Sequence, residues 1–290
     1  MINNYNKLDD LSIVIATLGQ INLEQTINSL NSGFNKPSKI LVCIPNPEFS
    51  SVTKYNIDNV EYLLSPYRGQ VFQRTFAFNY INSHFVLQID DDVLINQDSL
   101  IELVGFLKER PHASVSPSLL GKEDNKPSNY MVNPHSNLFL RFLFLIANGK
   151  NGFVPGGISL SGINMGYDYS AISPYKVDWL PGGCVLHNTK NLIDYNYYPY
   201  NGKAYSEDLL HSFFLTQKGI DLYHYPGISC FYDKSSSSVS GIFEFLKLNY
   251  NVWRILNYYS LLINSSRYRL FLFLSLKLIY SLFHKIKKLI

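Results

Sequence analysis

Three consecutive aspartates, Asp90, Asp91 and Asp92, follow an apolar segment that runs from Phe85 to Ile89. Neighbouring carboxylates at the end of a buried strand repel one another unless a cation joins them. In an extended backbone successive side chains point to opposite faces, so the pattern predicts Asp90 and Asp92 on one side and Asp91 on the other. Two carboxylates on the same side favour a bound divalent metal ion.

A second acidic pair, Glu207 and Asp208, lies between Ser206 and an apolar stretch that continues to Phe214. In one interpretation Ser206 caps a helix whose first-turn acids complement the helix dipole, a purely structural arrangement. In the other, a carboxylate of the pair removes a proton from a reacting hydroxyl group. A first-turn position lowers the pKa of Asp208, whereas burial beside Glu207 raises it, and the residues leave open which effect is larger.

The elements that must position these acids are strands alternating with helices. Four short apolar runs are typical of buried strands and lie at 11–16, 39–44, 60–64 and 85–89. The alternation predicts a mostly parallel sheet with helices on both faces, and ligands bind at the carboxyl ends of such strands. Ala16, Thr17 and the aspartates are therefore expected at one edge. Beyond them, Ser99 and Glu102 have capping-box spacing, which predicts a helix start at Ser99.

Four sequence elements occur in the order found in family-2 glycosyltransferases of the GT-A fold, which the chain resembles over residues 10–233. In chain order they are RGQVFQR at 68–74, the aspartates at 90–92, WLPGG at 179–183 and the acidic pair at 207–208. Any one of them alone is a weak signal, and the specificity lies in their succession. The resemblance implies a Rossmann-like α/β domain of the GT-A fold, with a mostly parallel central sheet and flanking helices.

The resemblance also implies an activity, the inverting transfer of a sugar from a nucleotide-sugar donor to a hydroxyl group of a saccharide or lipid-linked saccharide, in surface polysaccharide or glycolipid assembly. Asp90 and Asp92 match the family's DxD motif, which contacts the donor and holds Mg²⁺ or Mn²⁺. Asp208 matches the catalytic base, and Glu207 is the alternative. The residues that correspond to donor-contacting positions are Ala16, Thr17, Arg68, Arg74, Asp90 and Asp91.

Physical chemistry agrees with these assignments. Cleaving a sugar from a nucleoside diphosphate leaves negative charge on the phosphate, which a carboxylate-held cation neutralises without a proton. The acceptor hydroxyl group must lose its proton as it attacks, so a carboxylate within hydrogen-bond reach of it is needed. Attack from the face opposite the leaving group inverts the anomeric centre.

Two positions depart from the family's pattern. Where many members carry an aspartate that helps to bind the base, this chain has Pro45 and Asn46, which leaves the nucleotide base open. Where many members supply a late histidine to the metal, it has Cys230–Asp233, and the nearby His224 is expected to be a packed residue within a strand. The metal is then expected to have fewer protein ligands or to bind together with the donor. Trp179 either stacks on a sugar ring or belongs to the core.

The last segment, 242–290, holds eight Lys or Arg and one acidic residue, a net charge of +7 that leaves −4 for the rest of the chain. A helix near the C-terminus would carry one polar stripe that begins at Lys277, too early in the apolar run for a membrane span. The pattern predicts basic amphipathic helices lying in the membrane interface against anionic headgroups, the alternative being packing on the domain or in a dimer. The expected domains are therefore 1–241 and 242–290.

Composition favours a location inside the cell. The three cysteines are far apart in the sequence, and the first residues lack the basic start and apolar run of a secretory signal. Because the positive charge is concentrated in the tail, the expected partner is an anionic surface and not nucleic acid. The expected localisation is cytoplasmic, peripheral on the inner face of the plasma membrane.

Other functions fit parts of the pattern. A phosphatase of the haloacid dehalogenase type also has a strand that ends in DxD, but that motif usually lies near the N-terminus and continues with Thr or Val where this chain has Leu94. A sugar nucleotidyltransferase needs a glycine-rich, arginine-bearing loop after the first strand, which ATLGQIN at 16–22 does not supply. A non-catalytic scaffold of a polysaccharide assembly complex is a third interpretation.

Overall fold

The structure is a computed structural model that describes residues 8–127, 137–233 and 241–287. The chain divides into two compact units, the first formed by Met1–Ser128 with Ser170–Lys234 and the second by Asn129–Tyr169 with Ser235–Ile290. The domain boundary after residue 241 stays a prediction. The second unit, however, also contains Asn129–Tyr169, a segment that this boundary assigns to the first domain.

Nine strands form one mixed sheet in the described part of the first unit. In chain order they are β1 Leu11–Ala16, β2 Lys39–Pro45, β3 Val60–Ser65, β4 Phe85–Ile89, β5 Val93–Leu94, β6 Ala113–Gly121, β7 Tyr175–Lys176, β8 Cys184–Asn188 and β9 Asp221–Tyr232. Their order in the sheet is β3-β2-β1-β4-β8-β6-β9-β5, and β7 also pairs with β9. Strands β1 to β4 are parallel, whereas β8 runs antiparallel to both of its neighbours, β4 and β6.

Within the first unit, helices pack on both faces of this sheet. The first unit contains α1 Leu23–Leu30, the short α2 Asn46–Phe49, α3 Gln70–Phe78, α4 Gln97–Lys108 and α6 Glu207–Gln217, and the second contains α5 Leu138–Asn148, α7 Ile242–Leu262 and α8 Arg267–Lys287. Because side chains alternate along a strand, Ile13 and Ile15 belong to a core that includes residues of α1 and α4, and Val14 to a core that includes residues of α3. The predicted α/β class is confirmed.

The N-cap of helix α4 lies three residues earlier than the capping-box spacing predicts. Asn96 is the N-cap, and its side-chain oxygen accepts a hydrogen bond from the Ser99 backbone N–H over 2.8 Å. The predicted start at Ser99 is wrong because an asparagine side chain caps a helix as well as a serine does. Ser99 is instead the residue that donates to the cap.

The first four strands bring their carboxyl ends to one edge of the sheet. Because β8 runs in the opposite direction, its first residue, Cys184, pairs with Ile89, the last residue of β4. The Gly182–Gly183 segment therefore enters the sheet where the aspartates leave it, and Gly183 accepts a hydrogen bond from the Asp90 N–H over 2.9 Å. This edge gathers the residues expected to carry chemistry.

Within the second unit, α5 packs on α8. The rings of Phe139 and Tyr280 are stacked with centroids 4.1 Å apart, and Arg269 Nη1 donates a hydrogen bond to the Ile146 carbonyl oxygen over 2.7 Å. The glycine-rich loop at 156–166 is closed by its own backbone bonds, including Gly156 N–H to Gly166 O over 2.7 Å. Among the helices that the structure describes, none combines the length and apolar character needed to cross a bilayer.

Candidate active site

The three aspartates form a turn between β4 and β5 and share one cleft. The Val93 N–H donates to the Asp90 carbonyl oxygen over 3.3 Å, and all three side chains line a cleft of about 540 Å³. The prediction that Asp91 points away from Asp90 and Asp92 is wrong, because the backbone leaves the extended conformation directly after Ile89.

Asp91 is held against the loop that follows β1. Thr17 Oγ1 donates a hydrogen bond to Asp91 Oδ2, and Thr26 Oγ1 donates to the Asp91 carbonyl oxygen over 2.9 Å. Thr17 Oγ1 in turn accepts from the Gly19 N–H over 2.8 Å. Burial raises the pKa of Asp91, and the bond from Thr17 opposes this effect. Ala16 and Thr17, both expected at the donor site, line the same cleft.

Arg74 joins the two acidic motifs from beneath the cleft. Its side chain is only 2% exposed, with Nη2 2.5 Å from Asp90 Oδ1 and Nη1 2.6 Å from Glu207 Oε1. Nη2 also donates to the Gly182 carbonyl oxygen over 3.0 Å. Burial by itself lowers the pKa of Arg74, but Glu207 and Asp90 outweigh it and raise that pKa above its ordinary value. The structure thus places Arg74 between the acids and not on the cleft surface, where a donor contact was expected.

Two glycines of the WLPGG segment allow the start of β8 to lie against both acidic motifs. A Cβ atom on Gly182 would come within 2.1 Å of Glu207 Oε1, and one on Gly183 would lie 3.2 Å from Asp90 Oδ2. A side chain at Gly182 would therefore displace Glu207 from Arg74. Close packing explains why the glycine pair accompanies these carboxylates.

Glu207 and Asp208 differ in how fully their oxygens are engaged. Glu207 is buried, its Oε1 accepts from Arg74, and its Oε2 accepts from the Tyr197 hydroxyl group over 3.2 Å. Asp208 is partly exposed, and its Oδ1 accepts from the Leu209 N–H over 3.0 Å. Burial, and next the charge of Glu207, raise the pKa of Asp208 to about 7. Burial and the charge of Glu207 therefore raise the pKa of Asp208 by more than its position in the first turn of the helix lowers it. Asp208 is suited to take up a proton near neutral pH.

Ser206 does not cap α6. Its backbone lies in the left-handed region at φ 48°, and its side chain makes no capping hydrogen bond. A non-glycine residue in this region costs about 1–3 kcal/mol, so surrounding contacts must hold the helix start in place. The structural interpretation of Ser206 as a cap is wrong, and Arg74 and Tyr197 are the contacts that hold Glu207.

Cationic side chains line other parts of the cleft. Arg68, expected at the donor site, is 61% exposed and forms an ion pair with Glu48 at 3.2 Å. Lys203, in the loop that leads to α6, was not expected from the sequence and also lines the cleft. The cleft therefore combines three carboxylates with two cations, a set suited to a phosphate group together with a metal ion.

A second cavity of about 350 Å³ shares part of its lining with this cleft. Apart from Val71, the residues that line only this cavity are aromatic or carry amides, namely Tyr67, Phe72, Tyr198, Tyr200, Asn196 and Asn201. Aromatic faces and planar amides suit the apolar faces and hydroxyl groups of sugars. The shared lining comprises Arg68, Gly69, Gln70, Gly202 and Ala204.

Two glutamines that the sequence reasoning missed complete the site. Gln70 Nε2 donates to Asp90 Oδ1 over 2.9 Å. Gln73 is buried, and its Nε2 donates to the carbonyl oxygens of Thr17 and Cys43 over 3.0 and 2.7 Å, which ties the ends of β1 and β2 together. Gln70, Gln73 and Arg74 are spaced three and four residues apart, so their position on one helix face was a readable signal.

Trp179 and His224, for which the sequence allowed a role in ligand or metal binding, both lie in the core. Trp179 is 0% exposed, so it belongs to the core and does not stack on a sugar. His224 is buried within β9, as expected for a packed residue, and its Nε2 lies 3.4 Å from Ser118 Oγ. Burial lowers the pKa of His224 to about 4, which keeps the imidazole neutral.

Solved structures share this architecture at low sequence identity. GalNAc-T7, crystallised with UDP, GalNAc and Mn²⁺, aligns over 80% of this chain and 45% of its own, with a TM-score of 0.54 and 13% identity. Residues 1–349 of S. aureus TarS align over 93% of this chain and 70% of their own, with a TM-score of 0.52 and 18% identity. The chain has the GT-A glycosyltransferase fold. It spans less than half of the GalNAc-T7 chain, and no family model or curated protein sequence matches it.

Proposed function

We propose that this protein is an inverting, family-2-type glycosyltransferase that moves a hexosyl group from a nucleotide-sugar donor to a hydroxyl group of a saccharide. Arg74 is the observation that carries the proposal. One buried guanidinium group bonds both Asp90, in the cleft, and Glu207, beside the candidate base Asp208. A transfer reaction needs the donor-binding group and the base at a fixed separation. An arginine that bridges Asp90 and Glu207 fixes the distance between the two acidic motifs. The GT-A fold, which GalNAc-T7 shares in a complex with UDP and Mn²⁺, supports the same function.

The acids of the cleft fit a hard divalent cation. Asp90 and Asp92, the predicted DxD pair, both line the cleft, and carboxylate oxygens suit Mg²⁺ or Mn²⁺. Within 8–127, 137–233 and 241–287, no group of three His, Cys, Asp or Glu residues could hold a metal ion. Two carboxylates completed by substrate phosphate oxygens and water are a usual environment for Mg²⁺. Asp90 and Asp92 would hold such a cation, whose positive charge would offset the negative charge on the departing diphosphate.

The protein's own residues then bind the donor and accept the proton. Arg68 and Lys203 add positive charge along the cleft, and Thr17 holds Asp91 in place. Asp208 accepts the proton of the attacking hydroxyl group, and attack from behind the leaving group inverts the anomeric centre. Glu207 is the weaker candidate for the base because both of its oxygens already accept hydrogen bonds.

The acceptor side is proposed from the aromatic cavity and the basic second unit. The cavity beside Tyr67 and Tyr200 shares part of its lining with the cleft and would hold the acceptor saccharide, free or lipid-linked. The basic helices α7 and α8 would keep the enzyme peripheral on the inner, anionic face of the plasma membrane. Surface polysaccharide or glycolipid assembly is the process that such a placement suits. The phosphatase alternative uses Asp90 as a nucleophile and predicts release of phosphate from a phosphate ester without any acceptor sugar, which the proposed transferase should not catalyse.

A donor screen tests the proposal. We expect nucleotide sugars of one base class, among UDP, GDP and dTDP, to raise the melting temperature in the presence of Mn²⁺. A donor at 100 times its Kd stabilises the native state by about 2.7 kcal/mol. Replacing Asp92 by Asn should remove the Mn²⁺-dependent part of the shift. If no donor shifts the melting temperature and none is hydrolysed or transferred, the proposal is wrong.

The pH dependence of transfer gives a second test. Because Asp208 must be ionised and its pKa lies at about 7, we expect kcat/KM to fall tenfold per pH unit below pH 7. Burial is the larger cause of the raised pKa of Asp208 and stays in place when Glu207 is replaced by Gln, but the second cause, the charge of Glu207, is removed. The acid limb should therefore move part of the way to lower pH, and a limb that does not move would contradict the contribution of Glu207.

A further inference from the structure

Helix α5 presents an apolar stripe to solvent. Leu138, Phe142 and Leu145 are 78%, 50% and 51% exposed and recur at spacings of four and three residues. Residues at these spacings lie on one helix face. Arg141, also exposed, lies beside them. A surface helix of a globular domain usually presents polar and charged side chains to solvent, whereas this face of α5 presents apolar ones.

The inner face of α5 is fixed within the second unit. Leu143 and Ala147 are buried, and Phe144 contacts Phe273 of α8 with ring centroids 6.1 Å apart. The bond from Arg269 to the Ile146 carbonyl oxygen holds the same two helices together. The outer stripe is therefore a stable feature of a packed helix.

The other two helices of the unit are exposed in the same manner. On α7, Phe243, Tyr250 and Trp253 are 79%, 57% and 39% exposed. On α8, Phe271 and Ile279 are 60% and 63% exposed. Exposed apolar surface on this scale marks a site of interaction with a membrane or another protein.

Charge distinguishes between these two partners. The segments that form the unit, 129–169 and 235–290, hold ten Lys or Arg and two acidic residues, a net charge of +8, which leaves −5 for the rest of the chain. Apolar stripes flanked by basic side chains are typical of helices that lie in an anionic membrane interface. A second copy of this chain would bring the same positive charge to the contact, which opposes dimerisation through this surface.

We infer that α5 inserts its outer stripe into an anionic bilayer, so that the whole second unit and not the C-terminal tail alone docks on the membrane. The inference deepens the membrane association in the proposed function and rests on it. Phe142 and Leu145 enter the boundary between headgroups and acyl chains. Because the arginine side chain is long, Arg141 can keep its charge at the level of the headgroups.

Vesicle binding of the full chain tests the role of α5. Wild type should bind phosphatidylcholine vesicles that contain phosphatidylglycerol, and more weakly at high salt. The double variant Phe142→Ser with Leu145→Ser should lower the partition coefficient about tenfold or more. A matched control in the first unit replaces Phe34 and Ile172, which are 105% and 94% exposed, by Ser and should bind as wild type does. Equal binding by all three proteins overturns the inference.

Tryptophan emission reports insertion directly. The chain has two tryptophans, of which Trp179 is 0% exposed and gives a constant background. In a Trp253→Phe background, Phe142→Trp should shift its emission to the blue when anionic vesicles are added. An unshifted emission in the vesicle-bound protein overturns the inference. So does a dimer in light scattering that the double Ser variant dissociates, since the stripe would then be a subunit contact.

Sugar transfer measured without vesicles separates this inference from the enzyme proposal. The double Ser variant should keep the wild-type rate of donor turnover and the wild-type melting temperature, because its substitutions lie on the surface of the second unit. Vesicle binding without any donor turnover would refute the enzyme proposal alone.

Discussion

Replacing Asp208 by Asn is expected to lower kcat about 10²–10⁴-fold, the usual contribution of a general base. Asparagine has nearly the same shape and can keep the hydrogen bond from the Leu209 N–H, but it cannot accept the proton of the acceptor. Donor and Mn²⁺ binding should change little, because the proposed role of Asp208 is to accept the proton of the acceptor and not to bind the donor. Steady-state transfer together with the donor thermal shift measures both effects on one protein.

The same variant should be more stable than wild type at alkaline pH. The pKa of Asp208 rises from 3.8 in the unfolded chain to about 7 in the folded one. Its contribution to stability is therefore fully present below about pH 4 and is lost as the pH rises through about 7. At pH 8 Asn should raise the free energy of unfolding by about 1–2 kcal/mol, an amount reduced by partial exposure, and at pH 4 by little. Unchanged transfer would remove Asp208 from the proposed mechanism, and equal stability at both pH values would show that its pKa is not raised in the folded protein.

Replacing Arg74 by Met should destabilise the protein by about 3–5 kcal/mol, because it leaves Glu207 and Asp90 without their buried counter-ion. Donor binding and transfer should both be lost, since the aspartate turn and the start of α6 depend on the same side chain. Denaturant unfolding measures the first effect, and the donor thermal shift measures the second.

Arg110 provides the matched control for Arg74. It is 41% exposed and pairs with Glu109 at 3.3 Å on the surface, so Arg110→Met should cost less than about 1 kcal/mol. The double variant Arg74→Met with Glu207→Met should be less destabilised than the sum of its single variants, because the two charges compensate each other. Additive costs, or a stable Arg74→Met protein, would show that the buried pair does not hold the site together.

Local patterns predicted the parts of the site that depend on local backbone structure. The strand bounds at β1 and β4 agree with the structure, as does the start of α6 at Glu207, because short apolar runs and acidic first turns are properties of neighbouring residues. The edge of the sheet where Thr17 meets the aspartates followed from the rule that parallel strands end together.

Long-range contacts explain what the sequence did not reveal. The direction of Asp91 depends on Thr17, 74 positions away, and on a turn that replaces the extended strand. The position of Arg74 depends on Glu207, 133 positions away, so a residue expected to face a donor is buried between two acids. Lys203 lies in an irregular loop, where no periodicity marks its direction.

The contacts of Arg74 also bear on how this chain could be divided. The first hundred residues alternate strands and helices in a regular way, but the guanidinium group of Arg74 needs a carbonyl oxygen 108 positions later and a carboxylate 133 positions later. In a fragment that ends before Gly182, Arg74 would keep Asp90 but lose the Gly182 carbonyl oxygen and Glu207. The fragment would also lack β8, the neighbour of β4 in the sheet. The two halves of the site are therefore one folding unit, and gene fusion or fragment exchange that separates them should yield insoluble protein.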